Sequence, residues 1–501
     1  MCMSAGFDRR WAKVAVTSFA RCAPPATFSM HLPSRRATST SWKGIELDLI
    51  VTNTTIITGD GTTIHPNGQI GIADGKIAAI SVGQEQLSMF GIPRLDARGA
   101  TSFPGLINGH AHGCVHGPAM PSGSKPLDPS DVRYFRNRHL LGGTTTLLNV
   151  CGLSLPHEVD SSLQGPHPLR TFVTTAHTAS SVSAALEVDG SGLRSHHLRA
   201  TVEEAIASGA VALGEGGGGQ TLGGGAQDYG FLPQAILETT GILVEARDAR
   251  RLKELLLGRT LKDPTFPLNA QFIALCDELD LLSRSTSETV AKTIAGSVMK
   301  PVKNALLGLA ELAEASARTG LPAILHSAAP SAEHILDLAR AMPSARLIAA
   351  HCNHPSFTPE EAVATARLLR DTGVLIDVST LDCISTHWRN TAENLDALIG
   401  EGLVDTLSTD FAGGHWDGIL EAVHRMIVSG QMSAPMAIAL ATGNVASAFG
   451  AFHDAGRLEV GKRADITIAD SLNLSRVRHV IIGGKRVVGD GAINEAGQDN
   501  D

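Results

Sequence analysis

The chain has 501 residues, of which 43% are hydrophobic and 18% charged, a balance that supports a large core and excludes a wholly disordered protein. A net charge of −9 and only 14 Phe, 4 Trp and 2 Tyr leave neither a basic face nor a stacking platform, which argues against a nucleic-acid partner. No run approaches 18 apolar residues, so no membrane span is expected, and seven scattered cysteines suit reduced thiols in the cytoplasm rather than a disulfide framework. The 20 histidines equal all the aromatic residues together, and their placement carries the functional reading.

Residues 1–43 hold Arg9, Arg10, Lys13, Arg21, Arg35, Arg36 and Lys43 against Asp8 alone, a net +6 that leaves −15 on the remainder. This basic, Ser-containing leader is expected to be disordered; an organelle transit peptide or a mis-assigned start gives the same composition. From residue 44 the pattern changes to short alternating strands, "LDLIVTNTTIITGDG" and "GQIGIADGKIAAIS", with hairpin signals at Asp60-Gly61 and Asp74-Gly75. The same texture returns in "GRLEVGKRADITIAD" and "HVIIGGKRVVGDG". Residues 44–103 and 452–495 are therefore expected to build one composite β-sandwich around the intervening 104–451.

That middle segment alternates apolar, β-branched runs with helical stretches, the pattern of βα units. Eight strands are predicted: "SFPGLINGHAH", "GTTTLLNV", "RTFVTTAH", "AVALGEG", "PAILHSA", "ARLIAAHC", "GVLIDVST" and "VDTLSTD". Eight repeats favour a distorted (β/α)8 barrel over an open sheet. Among the helices, "TPEEAVATARLLRDTG" opens with Thr358 as cap and Glu361 three residues on. The stretch from about 216 to 320 is too long for one βα connection and is read as an insertion, either a lid or a surface excursion. Its Gly214–Gly219 run matches a dinucleotide fingerprint only by chance, because the glycines that follow oppose the required helix start.

His110 and His112 sit two apart at the end of the first predicted barrel strand, so both rings point to one face. Taken alone, the pair also describes two surface histidines. His326, His351 and Asp410, however, each end their own apolar strand, and Glu215 ends the fourth, at the end of a barrel where active sites are built. Four imidazoles and two carboxylates at one mouth suit a borderline divalent ion such as zinc and suffice for two ions. His177 ends the third strand and faces the same mouth, while Asn353, His354 and His415 lie in the loops after strands six and eight; all four are candidates for substrate contact. Trp416 and Asp417 are weaker candidates, and Asp417 also reads as a helix cap. Cys114 and Cys352 are expected to be buried thiols rather than ligands.

The motif "FPGLINGHAHG" with the later His, His and Asp in order resembles the amidohydrolase superfamily over residues 45–490. Within it, "VALGEGG", "HCNHP", "STDFAGG" and "ALATGNVASAFG" are most similar to the enamidase branch. The resemblance implies His110, His112 and Asp410 on one metal, His326 and His351 on a second, and Glu215 bridging them. Many relatives use a modified lysine at the bridge, and this chain has none beside the strand-four tip. The implied activity is hydrolysis of an amide C–N bond, in a cyclic amide, enamide, imide or N-acyl compound. A metal-bridging hydroxide would attack, with Asp410 as general base and then acid. The expected cofactor is two divalent ions per chain, zinc first, with iron or manganese as alternatives. The expected partners are a small amide-type substrate and further copies of the chain in a homo-oligomer. Lactone hydrolysis, deamination at one metal, and a non-catalytic scaffold are the alternatives on the same barrel. Deamination calls for a glutamate close to His326, and the nearest downstream is Glu333.

Overall fold

The computed structural model describes residues 46–494, apart from 84–86, 88–90, 161–165, 220–221, 224–226, 382, 386–389 and 412–416. The basic leader and His415 with Trp416 thus lie outside the described residues. Runs such as "TTTLLN" and "LIAA" carry no polar alternation, and a strand of that kind is stable only with both faces covered. Eight such runs form one parallel sheet in chain order: β1 Leu106–Ala111, β2 Thr144–Asn149, β3 Arg170–Thr175, β4 Ala212–Gly216, β5 Ala323–His326, β6 Leu347–Ala350, β7 Leu375–Ser379 and β8 Thr406–Ser408. The first and last strands meet at their C-terminal ends, where Asp410 N donates to His110 O (3.0 Å) and His112 N to Phe411 O (2.7 Å). The result is a nearly closed (β/α)8 barrel.

Side chains reinforce that seam. Asn108 Nδ2 donates to Thr409 Oγ1 at 2.7 Å, and Asn108 Oδ1 accepts from the backbone N–H of Thr409 (3.2 Å) and of His110 (3.3 Å). Asn108 is fully buried, so removing its amide orphans these groups at a cost of about 1–3 kcal/mol. An Asn108→Ala variant is accordingly expected to unfold at lower urea concentration with an unchanged m-value, measured by circular dichroism.

The expected first strand, residues 102–112, divides into two. Thr101–Pro104 belongs to a second sheet, and the chain turns at Gly105 into β1. A Cβ on Gly105 would stand 2.2 Å from Thr145 Cγ2, so only glycine allows this close approach. The second sheet has nine strands and is mostly antiparallel. It joins Leu49–Ile57, Ile64–Ala73 and Lys76–Val82 to Ile466–Ala469, Val477–Ile482 and Lys485–Gly489 through Thr101–Pro104. It encloses an aliphatic core of Val51, Ile56, Ile70, Ile72, Ile77, Ile466, Ile468 and Ile481. The Asp74-Gly75 hairpin turn has both residues at positive φ, 49° and 71°, as a two-residue type I′ turn requires.

Between β4 and β5, helices Leu232–Thr240, Ala246–Leu257, Ala270–Glu278 and Ser287–Met299 pack on their own core, which includes Ile236, Leu252, Phe272 and Ile294. The next helix, Val302–Thr319, instead places Leu309 and Leu312 in the barrel core and is the regular partner of β4. The inserted helices are anchored to the barrel loops: Arg250 Nη2 donates to Pro355 O (2.5 Å) and Arg259 Nη1 to Ser356 O (3.1 Å), both in the loop after β6. Thr358 and Glu361 form the expected reciprocal cap on Pro359–Asp371. Among the described residues, no helix is long and apolar enough to cross a membrane.

Candidate metal centre

The strand ends bring six side chains to one point. Glu215, near the end of β4, is fully enclosed, and its two oxygens face different partners. Oε1 lies 2.9 Å from His326 Nδ1 and 3.0 Å from His351 Nε2. Oε2 lies 3.6 Å from His110 Nε2 and 3.4 Å from His112 Nε2. Asp410 Oδ1 completes the second group, 3.4 Å from His110 Nε2 and 3.5 Å from His112 Nε2. The two rings of the His-x-His pair aim their Nε2 atoms at the same place, 3.3 Å apart.

Five of the six residues are essentially inaccessible, while the Asp410 side chain keeps 19% of its exposure and is the group that reaches toward solvent. His351 and Asp410 both adopt left-handed backbone conformations, with φ of 38° and 47°. Such residues cost of order 1–3 kcal/mol unless their surroundings hold them. At His351 the hold includes Asp377, whose Oδ2 accepts from His351 N at 3.3 Å and from Ser408 Oγ at 2.8 Å. Beside Asp410 it is the Asn108–Thr409 clasp. His326 is fixed by Ser331 Oγ, which donates to its carbonyl at 2.5 Å.

Charge is strongly coupled here. Burial opposes ionisation of Glu215, yet the imidazoles, His110 foremost, outweigh it and hold the carboxyl well below its usual range. Burial likewise opposes the charge on Asp410, but His351 and the His-x-His pair bring it down to about 2. Burial disfavours the imidazolium of His112, but Asp410, Cys151 and Glu215 reverse that and hold it well above the usual histidine range. Burial and the neighbouring His351 lower His326. Protonated imidazoles place positive charge against the two carboxylates, and the same nitrogen and oxygen atoms, once the rings are neutral, are donors that a divalent cation can take over. The donor set is the nitrogen and oxygen set that borderline divalent ions prefer, and it divides into two groups that share Glu215. The residues present therefore fit a divalent metal, with the donor groups His110–His112–Glu215, His110–His351–Asp410 and Glu215–His326–His351 overlapping in one cluster.

The other candidates fall in different places. His177 is buried after β3; its Nδ1 faces Thr175 Oγ1 at 3.0 Å, Nε2 has no hydrogen-bond partner among the described residues, and burial lowers it to about 4, so the ring is neutral. Asn353 uses both ends of its amide on one residue, with Nδ2 donating to Ser379 O (2.8 Å) and Oδ1 accepting from Ser379 N (2.9 Å). His354 Nδ1 lies 2.8 Å from Ser356 Oγ. Asp417 accepts from the backbone of Ile384 and Ser385, fastening the loop after β7 rather than capping a helix. Cys114 and Cys352 are buried, with burial pushing both thiols up to about 12. Sequence reasoning passed over Asn108, Asp377, Ser331 and Thr409. An aspartate inside the apolar run "VLIDVS" is the signal that would have drawn attention to Asp377.

The Amidohydrolase family profile matches residues 309–487. The human and mouse proteins named "Probable imidazolonepropionase" are each 38% identical to this chain over 85 residues, 17% of this chain and 19% of theirs, so the chain spans about a fifth of the curated relatives it matches. Among solved structures, L-hydantoinase (dihydropyrimidinase) from Arthrobacter aurescens superposes with a TM-score of 0.53 at 13% identity, covering 90% of this chain and 98% of that one. A D-aminoacylase described with a binuclear metal center gives 0.51 at 13% identity, with the same coverage. Likeness at that identity shows a shared fold. Residues 309–487 are thus similar to the Amidohydrolase family, and the barrel with its flanking sheet is the fold shared with those two structures.

Proposed function

We propose that the chain is a metal-dependent hydrolase of an amide C–N bond in a small molecule, with a cyclic amide, enamide or imide as the substrate class, as in the enamidase branch. The observation that carries this reading is the Glu215 carboxylate, whose two oxygens are divided between two histidine pairs. His110, His112 and Asp410 would hold one divalent ion and His326 and His351 a second, with Glu215 shared between them; zinc is the first choice. Such ions lower the pKa of coordinated water from 15.7 to about 7 and polarise a carbonyl oxygen. Asp410, the group closest to solvent, takes the proton of the attacking water on its carboxylate and returns it to the departing nitrogen. His177, neutral and with Nε2 uncommitted, donates to the substrate carbonyl or positions it. His354 contacts substrate from the loop after β6, whereas Asn353 acts through Ser379 by fixing the end of β7. The inserted helices, anchored beside His354, shape the pocket. The local likeness to proteins named imidazolonepropionase supports a ring as substrate. The chain works as a cytoplasmic homo-oligomer in this reading.

Glu333 is exposed on the helix Ala332–Ala341, which does not favour a deaminase arrangement beside His326. The test is a panel of cyclic and acyclic amides, imides and lactones offered to the metal-loaded chain. A ring-opened acid from a cyclic amide is the expected product. Turnover confined to lactones, or ammonia release from an aminated heterocycle, would overturn the proposal.

A further inference from the structure

A second histidine cluster lies outside the centre described above and has no part in that chemistry. His157 and Glu158 occupy the turn Pro156–Glu158 after β2, and His196 and His197 the short helix Ser195–Arg199 after β3. Glu158 is firmly placed. Its Oε2 accepts from Leu155 N at 2.8 Å, and its Oε1 lies 2.9 Å from His197 Nε2. His197 Nδ1 accepts from Arg194 N at 2.9 Å, so the ring proton is on Nε2 and His197 donates to the carboxylate. A Cβ on Gly117 would come within 2.2 Å of Glu158 Oε2, and His116 N donates to Glu158 O at 2.8 Å, so the loop after β1 closes over the same residue.

Three ligands, two imidazoles and a carboxylate, then converge on one patch. His196 Nε2 lies 3.6 Å from Glu158 Oε1, the rings of His157 and His196 are 5.9 Å apart, and one donor atom from each of His157, Glu158 and His196 falls within 4.8 Å of the others. Zinc bonds of 2.0–2.1 Å in a tetrahedron put ligand atoms about 3.3 Å apart. Both His157 and His196 are exposed, so their rings can close that remaining distance without disturbing the packing around Glu158. His197 supplies what ligating groups usually have, a neighbour that fixes the ligand's orientation.

We infer that His157, Glu158 and His196 form a separate site for a borderline divalent cation such as zinc, with His197 orienting the carboxylate and the fourth position left to water. Occupancy cross-links the turn after β2 to the helix after β3. This site does not depend on the hydrolytic reading, because none of its residues belongs to the barrel centre.

The test uses the full-length chain with its barrel centre loaded and excess metal removed. Zinc chloride is added by equilibrium dialysis, and bound zinc is counted for the wild type and for a His157→Ala, His196→Ala double variant. The wild type is expected to take up one more zinc per chain than the variant, and zinc to raise the Tm of the wild type alone, while the ions of the barrel centre are retained in both. Equal uptake by the two proteins would overturn the site. Loss of the barrel ions from the variant would overturn its separateness. A His197→Ala variant checks the orienting role, with zinc affinity at the added site expected to fall roughly 10–100-fold.

Discussion

Replacing Asp410 by asparagine is expected to lower kcat about 10²–10⁴-fold, the range associated with a positioned proton-transfer group. The substitution keeps the shape of the side chain and one oxygen toward His110 and His112, whose Nε2 atoms lie 3.4 and 3.5 Å from Asp410 Oδ1. It removes the charge and the capacity to take up a proton. KM should change far less than kcat, since a group that acts on the proton in the transition state contributes little to ground-state binding. Steady-state kinetics on the substrate found in the panel separate the two effects. Equal loss in KM and none in kcat would make Asp410 a binding residue only. Its left-handed backbone makes asparagine the suitable replacement, because Asn tolerates that conformation better than most residues.

Replacing Glu215 by alanine is expected to remove one of the two ions and to lower kcat/KM roughly a thousandfold, the consequence of losing several kcal/mol of charge stabilisation. The reason is geometric. Each Glu215 oxygen serves a different histidine pair, whereas Asp410 lies 3.4–3.5 Å from the His-x-His pair and reaches the other side only through His351. Glu215→Gln is the sharper variant. Its amide fills the same space but presents an NH2 to one of the pairs, and an NH2 cannot donate a lone pair to a cation. Metal content of the two variants, measured beside their activity, tells loss of an ion from mere loss of charge. A Glu215→Ala protein with both ions and full activity would remove the bridging claim.

The barrel was legible because short stretches rich in apolar and β-branched residues recur between helical segments, and strands buried on both faces carry that pattern. The six centre residues were legible for a related reason. A histidine or acid closing such a run lands on the rim, where the eight strands end together. Other features depended on contacts that local pattern does not encode. The division of residues 102–112 between two sheets turns on Gly105 meeting Thr145, and the Asn108–Thr409 clasp joins positions 301 residues apart. Asn353, placed in a rim loop by the sequence, has both ends of its amide on Ser379, a contact between the loop after β6 and the end of β7 that local pattern does not encode. His157 and Glu158 are neighbours in the chain, and it is the fold that sets His196 beside them.

The most direct measurement of the central claim is an anomalous-scattering map from crystals of the metal-loaded chain, recorded at the absorption edge of the bound metal. Two peaks are predicted, one beside Glu215 Oε1 with His326 and His351, the other beside Oε2 with His110, His112 and Asp410. A single peak in the barrel, or two peaks that do not share Glu215, would contradict the account.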